Sequence, residues 1–431
     1  MAREPPSITT EKLTPVQLME IDACTRCGEC VNWCPAYDVI NQEKFVPAEE
    51  QEKKLNQKIK LEYTPKERIK NWKNFINKSF GLRAMLFGPK KIPDSILQEF
   101  ANRAYHCTTC GVCGTVCESG IDTVELWEAL RANMVKRGNG PYGKQSFFPK
   151  LIQKDSNPYQ GKQEDRLAWM PEGIEVADKA EIAYYAGCTA AFRQPELAIA
   201  TVKVLDYLGL EFTMLGEDEY CCSSALIRTG QQDLNPVVPD FAKHNIEALK
   251  AKGVKKVLFA CAGCFRASMI DWPRYYDGKI PFERIHISKF INDQLDAGKL
   301  EFKNSINKTI TYHDPCHLGR HVGVYEEPRK VLQRIPGVTF VEMERNKELQ
   351  RCCGAGGGCK AGIPDFALAM AQARIEDALN VNADILSSAC PFCRRNFQDG
   401  QEASNAPIEV EDLIVLVAKA LGLDVSMKKA E

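Results

Sequence analysis

The chain has 431 residues, of which 44% are hydrophobic and 26% charged, and its formal net charge is −1. These values are typical of a soluble protein of about two to four domains, and they exclude a general electrostatic attraction to nucleic acid. No run approaches the roughly 18–20 apolar residues that span a bilayer, and the N-terminal stretch lacks the apolar core of a secretory signal. We therefore expect a cytoplasmic protein and treat any membrane association as peripheral.

Nineteen cysteines are the most unusual feature of the composition. In a long chain without an export signal they favour metal or redox chemistry over disulfide bonds. Eight of them form two runs with the spacing of bacterial ferredoxins, which predicts two cubane [4Fe–4S] clusters. The runs are Cys24, Cys27, Cys30 and Cys34, and Cys107, Cys110, Cys113 and Cys117.

The fourth cysteine of each run ligates the other cluster in two-cluster ferredoxins. One predicted ligand set is therefore Cys24, Cys27, Cys30 and Cys117, and the other is Cys107, Cys110, Cys113 and Cys34. Glu118 stands where proline usually follows such a run, but proline is not a ligand and the assignment is kept. Two zinc sites are the alternative assignment for these cysteines.

A basic insertion over residues 51–92 separates the two runs, with 12 Lys or Arg and 3 Asp or Glu. Ile69, Trp72, Phe75 and Ile76 recur at helical spacing within it. Two interpretations stay open. The segment is either a solvated helix that packs this apolar face on the cluster domain, or a docking surface for anionic lipid headgroups or a membrane subunit.

A further helix is predicted from residue 121 to Gly138, where it closes a helical, ferredoxin-like domain over residues 1–138. Residues 139–180 are rich in glycine, proline and polar residues, and we interpret them as a linker between domains.

A five-cysteine pattern then occurs twice, as a single cysteine, an adjacent pair and a CxxC motif. The three anchors are offset by 128, 131 and 129 residues between the copies, which indicates a duplicated unit. The first copy contains Cys188, Cys221, Cys222, Cys261 and Cys264. The second contains Cys316, Cys352, Cys353, Cys390 and Cys393.

Strands alternate with helices in both copies, which predicts βαβ units with a parallel sheet. The predicted strands are 182–186, 212–215, 257–260, 309–312, 338–342 and 384–387. Each cysteine group follows a strand, at the edge where open α/β sheets place their sites. We thus expect an α+β fold, in which the N-terminal domain precedes two α/β domains, 181–305 and 306–431, related by a pseudo-twofold axis.

The duplicated pattern resembles the cysteine-rich CCG domain of heterodisulfide reductases and of some respiratory dehydrogenase and sulfite-pathway subunits. Longer matches make the chain similar to the D subunits of membrane-associated heterodisulfide reductases from methanogen-type archaea. The matches lie at residues 19–28, 86–89, 215–219, 224–230, 313–321 and 389–395.

The resemblance implies that each copy binds a noncubane [4Fe–4S] cluster through its five cysteines, which makes these ten cysteines the catalytic cluster ligands. It also implies a substrate, the mixed disulfide of coenzyme M and coenzyme B, which is reduced to two thiols. Electrons would come from a membrane cytochrome b subunit with haem b that oxidises a quinone-like carrier such as methanophenazine. That partner would hold the chain on the inner face of the cell membrane.

Two features of the copies carry further expectations. The second cysteine pair is followed by Gly354, which permits a positive φ or a close backbone approach, whereas the first pair is followed by Ser223. Cys359 is the one cysteine left over, either a bystander or a thiol close to substrate.

Three histidines, His313, His317 and His321, surround Cys316 in the sequence. Their functional interpretation is proton donation to a departing thiolate, with His317 the best candidate, and the alternative is packing around the cluster. Four arginines near the cysteine groups either bind an anionic group of the substrate or form structural ion pairs. They are Arg228, Arg266, Arg320 and Arg394.

Three alternative functions remain at this point. The chain could transfer electrons from a flavin-dependent respiratory dehydrogenase to a quinone without reacting with a disulfide itself. It could instead reduce another disulfide or a trisulfide in sulfur respiration, or form a zinc-dependent scaffold.

Overall fold

The computed structural model describes residues 5–47, 56–234 and 237–426. Residues 51–55 of the basic insertion therefore lie outside the described part. The chain divides into two compact units. Unit 1 comprises Met1–Phe147, Ala225–Leu234 and Gly354–Met370, and unit 2 comprises Phe148–Ser224, Asn235–Cys353 and Ala371–Glu431. The two segments that follow the cysteine pairs thus belong to unit 1, together with the ferredoxin-like runs.

The part of unit 1 before residue 148 is helical. Its helices are α1 Pro15–Ala23, α2 Glu29–Asn32, α3 Pro35–Asn41, α4 Gln57–Leu61, α5 Pro65–Phe80, α6 Leu82–Phe87, α7 Asp94–Tyr105, α8 Val112–Thr115 and α9 Thr123–Arg137. Side-chain caps define several of their starts: Thr64 accepts from the amide of Glu67 before α5, and Asp122 caps α9. Gly138, with a φ of 85°, ends α9 where the sequence predicts.

The apolar face of α5 is buried inside unit 1. Ile69, Trp72 and Phe75 are buried, and Ile76 packs against the same core. Trp72 stacks on Phe100 of α7 with 5.8 Å between ring centroids. The predicted packing of this face is confirmed, and a docking surface in the insertion has to use other side chains.

Unit 2 contains two sheets in which every pair of strands is parallel. The first has the order β1 Ile182–Tyr185, β2 Lys256–Phe259 and β3 Glu283–His286. The second has four strands, and their order across the sheet is β5 Thr339–Val341, β4 Thr309–His313, β6 Ile385–Ser388 and β7 Glu409–Asp412. Apolar residues of β1 and β2, such as Ala183, Val257 and Phe259, are fully buried, as expected for parallel strands covered on both faces.

The helices beyond residue 147 belong mostly to unit 2, and those within 225–234 and 354–370 belong to unit 1. They are α10 Phe148–Asp155, α11 Gly187–Arg193, α12 Pro195–Tyr207, α13 Ser224–Arg228, α14 Val237–Ala251, α15 Ala262–Arg266, α16 Ile287–Asp296, α17 Glu326–Arg334, α18 Cys359–Gly362, α19 Pro364–Leu379, α20 Pro391–Ser404 and α21 Leu413–Ala420. The α+β fold class, with a helical N-terminal region and parallel α/β units after it, is confirmed. The four domain boundaries stay a prediction.

The strand predictions hold with one exception. Residues 212–215 are apolar, but only Thr213 pairs, in an isolated bridge to Ala183, so a strand there is wrong. The edge strands β3 and β7 were missed, because sequences such as Glu283-Arg284-Ile285-His286 are too polar to indicate buried strands. Across the described residues, no helix combines the length and the apolarity that a bilayer crossing requires.

Candidate metal centres

The two ferredoxin-like runs of unit 1 form loops with matching backbones. Gly28 and Gly111 have φ values of 95° and 84° at the starts of α2 and α8. Arg26 and Thr109, two residues before each glycine, also have positive φ. These left-handed residues make each CxxCxxC loop tight, and in the second loop the amide of Thr109 points at Sγ of Cys107, at 3.4 Å.

One cavity in unit 1 is lined by Cys24, Cys27, Cys30, Cys113 and Cys117. It contains the predicted ligand set that combines three cysteines of the first run with the fourth cysteine of the second run. Burial and the neighbouring cysteines raise the pKa of Cys30 to about 12.

A second cavity of unit 1 is lined by Cys34, Cys107, Cys110 and Cys113, the other predicted set. Burial raises the pKa of Cys34 well above its usual value and that of Cys113 to about 12. Buried thiols with raised pKa values become thiolates when positive charge compensates them, as iron does in a cluster. The donor sets of both cavities therefore fit a cubane cluster, although the ligand assignment itself stays a prediction.

The glycine run after the second cysteine pair packs on the second ferredoxin-like loop. A side chain on Gly356 would meet the carbonyl oxygen of Thr108 at 2.7 Å, and one on Gly357 would collide with the carbonyl of Cys107. Cys359, at the end of the run, is fully buried and its thiol donates to the carbonyls of Tyr105 and Cys107 at 3.5 and 3.4 Å. These contacts favour the bystander interpretation of Cys359 and explain the glycines as a close backbone approach.

Arg131 of α9 joins three segments of unit 1. Its guanidinium donates to the carbonyl oxygens of Ala104, Cys107, Arg228 and Gly357 at 2.6 to 3.1 Å, and it lies over the ring of Tyr105. The residue is 1% exposed. A single buried side chain thus ties the cysteine loop to both segments that follow the cysteine pairs.

All five cysteines of the first copy are buried in unit 2, and β1 and β2 are adjacent, so Cys188 and Cys261 follow neighbouring strand ends. Cys221 donates hydrogen bonds to Cys188 and Cys222, and Cys264 donates to Cys222 and Cys261. These bonds, with burial, raise the pKa of Cys221 and Cys264 well above the usual value, while the bond from Cys221 lowers the pKa of Cys188. The structure brings this predicted set together.

The second copy continues the same chain of thiols. Cys261 donates a hydrogen bond to Cys390, and Cys393 donates to Cys390 and Cys353. The bonds from Cys261 and Cys393 lower the pKa of Cys390 well below its usual value. The two remaining cysteines of this copy, Cys316 and Cys352, are buried. Eight of the ten cysteines thus form one connected set that includes both copies.

The residue after each cysteine pair has a left-handed backbone. Ser223 has a φ of 64° and Gly354 a φ of 91°. A Cβ on Gly354 would meet the carbonyl oxygen of Ala367 at 2.5 Å and Cβ of Met370 at 2.7 Å. Gly354 thus adopts the positive φ that glycine permits, and Ser223 adopts the same left-handed backbone despite its side chain.

A buried ion pair beside the first copy was not found from sequence. The guanidinium of Arg166 lies 2.6 Å from Oε1 of Glu219 and 3.6 Å from Sγ of Cys188. Glu219 in turn accepts from the amides of Ala186 and Gly187, in the turn that leads into Cys188. Arg166 lies in the segment predicted as a linker. The only sequence signal of this ion pair was the acidic stretch Leu215–Glu219, which contains its carboxylate.

Of the three histidines, His313 is fully buried, whereas His317 and His321 are half-buried with ring centroids 4.7 Å apart. A methyl group on Gly263, inside the first CxxC, would lie 3.7 Å from both Nδ1 of His317 and Sγ of Cys261. Nδ1 of His317 therefore lies near the CxxC of the first copy.

The four arginines near the cysteine groups serve structural contacts. Arg228 pairs with Glu128, Arg266 with Asp271 and Arg394 with Glu411, all buried. The fourth, Arg320, donates to the carbonyl oxygens of Glu348 and Gln350. These contacts favour the ion-pair and packing interpretation over binding of an anionic substrate.

Unit 1 contains two cavities lined by cysteines, and unit 2 contains a connected set of buried cysteines from both copies. These features define an iron–sulfur protein. Two family models agree with this class. The model for a 4Fe-4S dicluster domain matches residues 20–121, and the model for a cysteine-rich domain matches residues 182–267 and 310–398.

Relatives narrow the class further. The chain is 59% identical over 425 residues to the D subunit of the dihydromethanophenazine:CoB–CoM heterodisulfide reductase of Methanosarcina acetivorans, covering 99% of this chain and all of that protein. It therefore belongs to the family of heterodisulfide reductase D subunits. More distant relatives include the B subunit of the fumarate reductase (CoM/CoB) of Methanothermobacter marburgensis, at 34% identity over 74% of this chain and 62% of that protein. Another is the EtfAB:quinone oxidoreductase of Syntrophomonas wolfei, at 28% identity over 94% of this chain and 58% of that protein.

Proposed function

We propose that this chain is the catalytic iron–sulfur subunit of a membrane-associated heterodisulfide reductase. It would reduce the mixed disulfide of coenzyme M and coenzyme B to two thiols, consuming two electrons and two protons. The full-length similarity to a heterodisulfide reductase D subunit supports this. The observation that carries the proposal is the close approach of the Cys261 and Cys390 side chains, because a two-electron reaction needs one-electron centres of both copies at the same place.

The proposed cofactors are two cubane and two noncubane [4Fe–4S] clusters, which supply one-electron transfer when bound. The cubanes would be held by Cys24, Cys27, Cys30 and Cys117, and by Cys107, Cys110, Cys113 and Cys34. The noncubane clusters would be held by the five cysteines of each copy.

The chain's own contribution to the reaction includes a proton source. His317 is half-buried, and its Nδ1 lies near the CxxC of the first copy. We assign His317 as the proton donor to a departing thiolate. Replacement of His317 by Gln should slow turnover while the cluster signals stay intact.

The proposed electron donor is a membrane cytochrome b subunit with haem b that oxidises a methanophenazine-like carrier. Helix α6 of unit 1 offers a surface for this subunit. Leu82 and Phe87 are 74% and 81% exposed there, and Met85 and Leu86 are also exposed. We call these four residues the α6 surface. Exposed cations lie around these residues, namely Lys78, Arg83, Lys90 and Lys91. Apolar side chains rimmed by positive charge suit a partner embedded in an anionic membrane, which would hold the chain on its inner face.

Matched variants test the α6 surface. Leu82→Ser with Phe87→Ser should abolish co-sedimentation with membranes that contain the cytochrome b subunit, whereas Phe147→Ser, which changes another exposed aromatic residue of unit 1, should not. Equal binding of all variants would contradict the assignment. Equal binding of the unchanged chain to protein-free anionic vesicles would also contradict it, because it would identify lipid as the occupant.

The decisive test of the function is EPR spectroscopy on anaerobically purified, oxidised protein with and without coenzyme M thiol. A paramagnetic signal that appears only with the thiol and broadens with 57Fe would place substrate sulfur on a cluster. Only reduced-cubane signals, indifferent to the thiol, would favour the second candidate. That candidate is electron transfer from a flavin dehydrogenase to a quinone. The similarity to EtfAB:quinone oxidoreductase supports it.

A further inference from the structure

His313 and Tyr185 occupy matching positions in the two copies. His313 is the last residue of the central strand β4, and Tyr185 is the last residue of the edge strand β1. Each stands three residues before the single cysteine of its copy. Both side chains are buried, at 0% and 1% exposure. The duplicated unit thus places a polar ring at the same point beside each cysteine set, but the ring differs.

The two rings use their polar atoms differently. The hydroxyl of Tyr185 donates to the carbonyl oxygen of Tyr220 at 2.5 Å, so its hydrogen-bonding capacity is used within the protein. Neither ring nitrogen of His313 has a hydrogen-bond partner among the residues that the structure describes. Phe397 packs against its ring at near right angles, with 4.8 Å between the ring centroids, and supplies no polar contact.

The unpartnered imidazole lies against cysteines of the second copy. One ring nitrogen of His313 and the sulfur atoms of Cys353 and Cys393 are all within 4.8 Å of one another. A buried polar group without a partner costs about 1–3 kcal/mol. The position is therefore best explained by a partner beside Cys353 and Cys393, where the proposed second noncubane cluster would lie.

We propose that a ring N–H of His313 donates a hydrogen bond to a sulfur atom of the cluster held by the second copy. This inference rests on the proposed function, which supplies the cluster. Coordination of iron by His313 fits the duplication less well, because both copies already contain the same five thiols and the first has Tyr185 at this place. His313 is then a positioning residue that makes the two cysteine sets chemically unequal.

The consequence is a higher reduction potential for the noncubane cluster of the second copy. A hydrogen bond to a cluster sulfur stabilises the reduced state, which carries more negative charge on sulfur. The bond from His313 thus makes the cluster of the second copy easier to reduce than it would be without this bond.

The test exchanges the two residues in the intact holoprotein. His313→Tyr should shift the midpoint potential of one noncubane cluster to a more negative value in an EPR-monitored titration, with iron content unchanged. Tyr185→His, the matched variant, should shift the other cluster in the positive direction. Pulsed EPR should also lose a weak imidazole 14N coupling in His313→Tyr, and growth with 15N-histidine would identify that coupling in the unchanged protein.

Several outcomes overturn this inference alone. Unchanged potentials and an unchanged nitrogen coupling in a cluster-loaded His313→Tyr variant would remove His313 from the cluster. A strong nitrogen coupling, with iron lost on substitution, would make it an iron ligand instead. If His313→Tyr does not fold, His313→Leu, which has no hydrogen-bond donor, is measured in the same way. A chain that binds no noncubane cluster at all would instead refute the proposed function.

Discussion

The side chains of Cys261 and Cys390 lie within hydrogen-bonding contact of each other, and these two cysteines open the CxxC motifs of the two copies. They follow β2 and β6, strands that belong to separate sheets of unit 2. The contact joins the two five-cysteine sets into one centre, which a sequence offset of 129 residues does not reveal by itself.

Removal of either cysteine should therefore affect more than its own set. We expect Cys261→Ser and Cys390→Ser each to lose iron and to alter the EPR signals of both copies. Iron and sulfide analysis with EPR on anaerobic protein would measure this.

Cys359→Ala is the matched control for these variants, since Cys359 is equally buried but contacts backbone carbonyls of Tyr105 and Cys107. It should keep its full iron content. Iron loss in Cys359→Ala equal to that in Cys390→Ser would argue against the ligand assignment.

The residues after the two cysteine pairs should respond unequally to exchange. Gly354→Ser should lower the melting temperature strongly, at a cost of more than about 3 kcal/mol, because its Cβ would meet the carbonyl oxygen of Ala367. Ser223→Gly should change stability by less than about 1 kcal/mol, because relief of the left-handed backbone and the added freedom of the unfolded chain offset each other. Thermal unfolding followed by circular dichroism would compare the two, and equal effects would contradict the backbone argument.

The ion pair of Arg166 and Glu219 should be needed as a pair. Arg166→Met leaves a buried carboxylate beside Cys188 without its partner, and we expect a loss of roughly 3–5 kcal/mol of stability. The double variant Arg166→Met with Glu219→Gln removes both charges and should recover most of that loss.

A double-mutant cycle of melting temperatures would measure this coupling. If the double variant is as unstable as the sum of the single variants, the two side chains do not act together.

Arg131 should be the most sensitive single position of unit 1. Arg131→Met removes hydrogen bonds to four backbone carbonyls and leaves them buried, and each such group costs about 1–3 kcal/mol. We expect the cavities for both cubanes to lose iron and residues 225–234 and 354–370 to exchange amide hydrogens faster.

Hydrogen exchange with mass spectrometry would measure the second effect. Arg137→Met, which changes an arginine of the same helix that pairs with exposed Asp94, is the control and should leave exchange unchanged. Protection of both segments in Arg131→Met would show that they are held by other contacts.

The sequence was informative where chemistry constrains spacing. The CxxCxxC runs and the duplicated cysteines predicted which thiols meet, because a cluster tolerates few separations between its ligands. Parallel strands were predictable from apolar runs such as Val257-Leu258-Phe259, whereas the polar edge strand β3 was not.

Contacts between distant, chemically ordinary residues could not be predicted. Arg166 lies 53 residues before Glu219 in a polar stretch, and nothing local shows that it is buried beside a cysteine. The membership of Ala225–Leu234 and Gly354–Met370 in unit 1 was equally hidden, because both segments lie within the duplicated sequence. Both segments are held in unit 1 by tertiary contacts, namely the hydrogen bonds of Arg131 and the close approach of Gly357 to Cys107.

That membership has a consequence for synthesis on the ribosome. Domains usually fold in the order in which they emerge, the N-terminal one first. Here the carbonyl partners of Arg131 at Arg228 and Gly357 emerge long after the cysteine loops that the same side chain holds. The N-terminal cysteine loops are therefore completed only when translation has passed residue 370, so delivery of iron and sulfide to them is expected after that point.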